Sequence, residues 1–448
     1  MRKKIAILGL ILILGLGKLA MAEVWERIIP FGNPPSKRNG HVLIQQFVFG
    51  GFDQDNNLWI LWQEIDTWRW ENRSAGGEAP GPRGGHSGIF AHGLDNSIII
   101  FGGSQSPLGA PSDIVTYRLE NPWDPSSTWE KFSTEGSTPT ARAEHTAVYD
   151  EGMNRMVVFG GYTDITPEIV ASSETYTLDF NVTPASWTKV DTSGEIPARY
   201  GHSAVWANWR MVVFGGKDSS DSLLDDCWEL VESTWTKISV TGDKPPARWQ
   251  HTAVWIPGEF PGGMLIFGGK DEQGNPLDDV WFLQEPDPGP SPDNWKWEKL
   301  YPIGDLPSAR SGHVAGFVWN GDGGGMFIFG GSDGNNNLND VYVLSEGEKV
   351  EQSLQKKPFN APNPFNPDRE ETKICYYLDD AESNVKIKLF TLTGDLVYSW
   401  ENISGRKGMN DESWDGRNEK GRVVENGGYI CLIEAGGKKQ KCKIAVLR

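Results

Sequence analysis

Six of the seven histidines follow an arginine at one fixed spacing: Arg38/His41, Arg83/His86, Arg142/His145, Arg199/His202, Arg248/His251 and Arg310/His313. Six imidazoles in register could form a ring of metal ligands. Each, however, opens a short run of small and β-branched residues, which points to buried, hydrogen-bonding histidines and to no metal site. Two of the motifs place an aromatic ring beside the arginine, Tyr200 after Arg199 and Trp249 after Arg248, and another places Asn39 after Arg38. A ring next to a guanidinium suits stacking on a sugar or a peptide side chain, with arginine bidentate to a carboxylate. Arg38, Asn39, Arg199, Tyr200, Arg248 and Trp249 are therefore the candidate ligand-binding residues. The competing reading is that the arginines tie the structure together and the aromatics cover them.

Other chemistry is sparse. Asp53, Asp55 and Asn57, and Asp333 to Asn337, put oxygen ligands at alternate positions but lack the sixth-position Gly and twelfth-position Glu of a calcium hand, so they read as turns. No P-loop, dinucleotide fingerprint, nucleophile elbow or His-Glu-x-x-His occurs, so no catalytic residue and no cofactor is nominated. Of the four cysteines, Cys431 and Cys442 flank the turn Ala435-Gly-Gly-Lys438 symmetrically about Gly436 and Gly437. A two-residue hairpin makes them direct cross-strand partners, and an oxidising compartment would permit a disulfide. Pairing of either with Cys375, or thiols that stay reduced, is the alternative.

The elements that must position these residues repeat. After each Arg-x-x-His an apolar run closes on Phe-Gly-Gly, at Gly50, Gly102, Gly160, Gly215, Gly268 and Gly330, and later comes a strand opening on Trp25, Trp70, Trp129, Trp187, Trp235 or Trp297. From each of these Trp residues to the next motif His is 16 residues five times and 15 once, while the loops after Gly-Gly vary. Constant spacing inside a unit with variable loops outside is what stacked blades require. These elements resemble the kelch repeat over Val24 to Leu344. The resemblance implies an all-β chain: a six-bladed kelch-type β-propeller followed by a small β-sandwich. The Trp25–Ile29 strand precedes the first motif and the sixth unit lacks a Trp strand of its own, so the N-terminal strand is expected to complete the sixth blade. A copper-radical sugar oxidase, known among kelch propellers, needs a Cys-modified Tyr; the propeller's single cysteine, Cys227, sits within a strand, which argues against it.

Outside the repeats, residues 1–22 read as a signal peptide: Arg2, Lys3 and Lys4, an apolar stretch, and Ala20-Met21-Ala22 before the cleavage site, with retention as an N-terminal anchor the alternative. No further membrane span is expected. Residues 23–357 hold 24 Lys and Arg against 46 Asp and Glu, a net charge of −22, which disfavours nucleic acid and anionic membrane as partners. The domains expected are a propeller over 23–344, a charged linker over 345–361 and an Ig-like sandwich over 362–448, with turns every 8–12 positions. The strings Asn363-Pro-Phe-Asn-Pro367, VKIKLFTLTGDLV, WDGRNEKGRVVENGGYI and the Lys-rich last strand resemble the Ig-like domain of flagellar hook-cap proteins and the C-terminal sorting domain of type IX secretion cargo. That resemblance implies export across an outer membrane, with the secretion machinery as a partner. An ordinary Ig module is the alternative. The chain is thus expected to be a secreted or cell-surface protein that binds a glycan or protein ligand. The rival is an extracytoplasmic, periplasmic sugar-processing enzyme resembling the six-bladed kelch proteins that isomerise sialic acids.

Overall fold

The computed structural model describes residues 23–346 and 358–448, apart from short segments at 53–56, 64–67, 112, 167, 258–261, 287–293, 320–323, 362–364, 370 and 379. The signal-like residues 1–22, most of the linker and the Asp53 to Asp55 loop lie outside them. Among the described residues there is no α-helix and no helix long and apolar enough to cross a membrane. The chain is all-β. It divides into two compact units, Glu23–Glu346 and the residues from Gly347 onward.

The first unit contains six sheets of four or five strands and a two-stranded one; each of the six has an antiparallel core, whose strands follow sequence order in the first five. In the fourth, Arg210–Phe214 pairs with Ser203–Ala207 on one side and Cys227–Val231 on the other, and Thr234–Lys237 forms the outer strand. The second strand of each sheet is the apolar run before Gly-Gly. It is buried on both faces, as Ser97–Phe101 and Gly263–Phe267 are throughout, which is why it reads as continuous rather than alternating. First strands of successive sheets lie side by side, sixth against first included, so the sheets form a closed ring. The sixth sheet joins the two ends of the unit as expected: Glu23–Ile28 pairs antiparallel with Val341–Glu346, Trp25 opposite Leu344.

Two devices hold blade to blade. Each repeat Trp is 1–3% exposed and packs on the Phe of the preceding blade's Phe-Gly-Gly, with centroids 5.3 Å apart for Trp129 on Phe49 and 4.6 Å for Trp235 on Phe159. Each motif His lies edge-on to that same Phe, and its imidazole occupies the space a Cβ on the first glycine would fill: at Gly50 (φ +72°) it would stand 2.6 Å from His86. The chain leaving a blade also runs parallel to the outer strand of the next, as Thr134–Gly136 does beside Ala185–Lys189, so outer edges are covered.

The second unit is a sandwich of a three-stranded sheet (Phe359–Ala361, Thr372–Leu378, Gly408–Trp414) and a four-stranded sheet (Leu396–Gly405, Glu382–Thr391, Gly427–Ala435, Lys438–Val446). Alternate residues of both, among them Ile374, Tyr376, Ile387, Leu389, Trp414 and Ile433, meet in one core. Cys431 stands opposite Cys442 across the Gly436-Gly437 turn, the register the sequence predicts. The two side chains stand as thiols in this structure, facing each other as a disulfide between them would require. A hydrogen bond to the Cys442 thiol, with burial, holds the Cys431 thiol well above the ordinary cysteine range. Cys375 is buried in the other sheet, its thiol donating to Lys373 O.

Candidate functional site

The residue just before each motif His lines the axis of the ring, and all six take positive φ: Gly40, Gly85, Glu144, Gly201, Gln250 and Gly312, between +51° and +67°. Their backbones form a closed belt. Gly85 N–H donates to Gly40 O (2.8 Å), Glu144 to Gly85 (2.7 Å), Gly201 to Glu144 (2.9 Å), Gln250 to Gly201 (2.8 Å), Gly312 to Gln250 (2.9 Å) and Gly40 to Gly312 (2.9 Å). The left-handed backbone aims each donor at the preceding blade, and glycine takes it without strain, whereas a Cβ costs about 1 kcal/mol or more. Four positions are glycine. The two that are not carry the chemistry.

Glu144 and Gln250 come from blades three and five and meet across the bare Gly201, with Gln250 Nε2 donating to Glu144 Oε1 at 2.8 Å. Glu144 retains partial exposure as a residue, yet its Oε2 is shielded from solvent and meets no donor. The space beside that oxygen exists because Gly201 has no side chain: a Cβ there would stand 3.0 Å from Oε2 and 3.1 Å from the Trp249 ring. Burial pushes the carboxyl up to about 7, against the pull of Gln250, Lys270 and Lys217. Above the belt opens a cavity of about 320 Å³ lined by Glu144, Gln250, Trp249, Lys270 and Asn39. Trp249 carries two ammonium groups against its ring, Lys217 at 4.3 Å and Lys270 at 5.4 Å. Lys217 is engaged by Asp221, whereas no described carboxylate pairs with Lys270.

The candidates from the sequence separate. Asn39 and Trp249 line the cavity, Asn39 held by Asn337 at 2.7 Å. Tyr200 stands behind Trp249, 1% exposed, its ring edge-on at 6.1 Å and its hydroxyl donating to Asp221. The three arginines do not reach a ligand. Arg38, Arg199 and Arg248 are 0% exposed and bind within their own blades: Nη1 donates to the first diglycine carbonyl at 2.8, 3.0 and 3.1 Å, and Nε to the carbonyl two residues upstream. Arg199 and Arg248 are further clamped by Asp226 and Asp279 at the start of the third strand, as Arg83, Arg142 and Arg310 are by Asp113, Glu174 and Asp340. A guanidinium buried in a blade must spend its donors there, which corrects the expectation of bidentate arginine at the mouth.

The histidines are equally internal. Nε2 of His145, His202, His251 and His313 meets the hydroxyl of Ser87, Thr146, Ser203 or Thr252 on the preceding blade at 2.7–2.8 Å. Burial, with the nearby arginine, drives His86 and His251 down to about 3 and the others well below the ordinary range. Among the described residues no three His, Cys, Asp or Glu side chains converge to hold a metal. Asp333 accepts the N–H groups of Asn335 and Asn336 at 2.8 and 2.7 Å, the geometry of a turn. The sequence held the signal for Glu144 and Gln250: they are the two departures from glycine before the motif His.

Residues 91–258 and 225–378 match the domain described as KLHDC2/KLHL20/DRC7 kelch-repeats. The chain belongs to the kelch-repeat family. Among its relatives are Adagio-like protein 3 of Oryza sativa subsp. japonica, 27% identical over 54% of this chain and 37% of that protein, and tip elongation aberrant protein 1 of Schizosaccharomyces pombe, 31% identical over 48% and 18%. The leucine-zipper-like transcriptional regulator 1 homolog of Drosophila melanogaster is 27% identical over 66% and 30%. This kelch chain therefore aligns with well under half the length of these relatives. The solved structure of YjhT covers 72% of the chain and 98% of its own, with a TM-score of 0.53 and 16% identity, a likeness of fold.

Proposed function

We propose that this kelch protein is an exported ligand-binding protein. In this reading the propeller takes a glycan or protein ligand by a carboxylate at the Arg-x-x-His mouth, and the C-terminal sandwich serves the secretion machinery. The observation that carries the binding half is Glu144: two belt positions accept left-handed strain where glycine would serve, and the result is a shielded carboxyl with an open oxygen in the cavity that Lys270 and Trp249 line. A protonated Glu144 donates from Oε2, Lys270 supplies the positive charge, and the Trp249 face covers the apolar part of the ligand. Binding is strongest below pH 7 and weakens as Glu144 ionises. The export half is supported by the signal-like residues 1–22 and by the resemblance of the last strands to a sorting domain, and the net charge of −22 over residues 23–357 argues against nucleic acid.

The test is a screen of the full chain against acidic and neutral glycans and secreted proteins at pH 6 and pH 8, repeated with Lys270→Ala and Glu144→Gln. Loss of binding in the first and a flattened pH profile in the second are expected. Binding that is pH-independent and indifferent to Lys270 would sink the reading. Fractionation of cells expressing the chain with and without residues 362–448 tests export.

The sugar-processing enzyme is the second reading, and the same carboxyl favours it, since a group poised near neutral pH suits general acid–base work. Proton NMR of anomer exchange in acidic sugars separates the two. Accelerated exchange that disappears in Glu144→Gln makes the protein an enzyme; tight binding without exchange makes it a binder.

A further inference from the structure

At the other end of the ring, the described turns between first and second strands border a cavity of about 850 Å³. Its chemistry is unlike that of the Arg-x-x-His mouth. Among the described residues no Lys or Arg lines it, whereas Trp206, Trp209, Trp255 and Phe317 do, with Gln45, His92 and Glu151 among them.

One of these rings stands in a strained position. Ala207 pairs with Arg210, so Asn208 and Trp209 alone make the turn, with φ of +50° and +66°. Two-residue hairpins with both central residues left-handed select Asn-Gly, because a Cβ at the second position crowds the backbone. Here that position holds the bulkiest side chain, and it is 72% exposed. The indole lies over Gly152, where any Cβ would collide with it. Neither backbone preference nor burial accounts for tryptophan at this point. Facing it are groups that can take hydroxyls: His92 Nε2 is 3.3 Å from Gln45 Nε2 and 3.9 Å from Glu151 Oε1, with His92 and Glu151 exposed.

We infer that this basin binds a neutral oligosaccharide, with the Trp209 indole as stacking platform and Gln45, His92 and Glu151 as hydroxyl partners. A pyranose presents a flat C–H face to an indole and hydroxyls at its rim, which matches a plate beside an amide, an imidazole and a carboxylate. Charge selects the neutral class: among the described residues Glu151 is in the lining with no Lys or Arg beside it, and that carboxylate with the net charge of −22 over residues 23–357 repels an acidic sugar. The volume falls within the roughly 300–1,000 Å³ of small-ligand sites.

The full-length protein is titrated calorimetrically with cellohexaose, mannohexaose and N-acetylchitohexaose, and with hexagalacturonate as the acidic control. At least one neutral hexasaccharide is expected to bind at about 5 mM or below, and Trp209→Gly to weaken it at least tenfold with no fall in unfolding midpoint. Glu144→Gln, at the opposite mouth, leaves it unchanged, so failure here and failure of the carboxylate site are told apart. The inference is overturned if none of the neutral sugars binds, if Trp209→Gly leaves their affinity intact, or if hexagalacturonate binds as well as they do and loses that binding in Trp209→Gly. A fall in the unfolding midpoint of Trp209→Gly overturns it too, since the ring would then be a structural prop.

Discussion

At the Arg-x-x-His end of the channel the belt is glycine in four blades and becomes Glu144 and Gln250 in the other two; at the turn end the departure from pattern, among the described residues, is the tryptophan in an Asn-Gly type turn. One end gathers a titrating acid and a lysine beside one indole, the other, among the described residues, gathers aromatic rings without a lysine or arginine. Both departures share a physical mark. They put a side chain where the backbone wants none, and each lines a cavity at one end of the ring. In a repeat protein the residues on which blades agree build the ring, as the motif arginines and histidines do. Those that break agreement at a local cost are where the channel acquires chemistry.

That contrast can be broken at several depths. Deleting residues 23–29 removes the outer strand of the sixth blade and the burial of Trp25, so both mouths are expected to fail together, with a stability loss above about 4 kcal/mol by urea denaturation. An unchanged midpoint would mean that the ring does not depend on this closure. Next is Arg248→Ala, which strands the largely buried Asp279 carboxylate and is expected to cost about 3–5 kcal/mol wherever the ligand sits. A stable Arg248→Ala protein that has lost only ligand binding would return the arginine to the site.

Smaller, and specific to one mouth, is the pH dependence of Glu144. Its carboxyl ordinarily titrates at 4.5 and in the folded protein at about 7. Between those values the folded chain keeps a proton that the unfolded chain has released, so stability falls as pH rises through the window and stays reduced above it. Glu144→Gln is expected to melt with the parent near pH 4 and to be more stable at pH 8, by on the order of 2 kcal/mol after allowance for partial exposure. Parallel melting curves across that range would show that Glu144 is ionised and solvated throughout.

The ring itself was legible because its determinants lie in short, fixed spacings: diglycine for the imidazole to sit on, Trp for the interblade space, and a spare N-terminal strand. The fate of the arginines was not. Their acidic partners lie 27–32 residues further on, beyond variable loops, so nothing local announces that Asp226 will clamp Arg199 or Glu174 will clamp Arg142. Glu144 and Gln250 were visible as exceptions to glycine, but their meeting needed the three-dimensional fact that Gly201 lies between them. Trp209 carries no spacing signal, because the demand for left-handed backbone arises only once Ala207 and Arg210 pair.

The seam between Glu23–Ile28 and Val341–Glu346 also sets a clock on biogenesis. The first strand made is the last to find its neighbour. At about 5–20 residues per second, Trp25 waits roughly 15–60 s after leaving the ribosome before residue 346 exists to pair with it. For that interval the nascent chain carries an unsatisfied strand and an indole without a pocket, in reach of chaperones. Ribosome-stalled chains ending before residue 341 are expected to be cleaved by protease at the N-terminal strand, and chains long enough to bring Val341–Glu346 clear of the exit tunnel to be protected there.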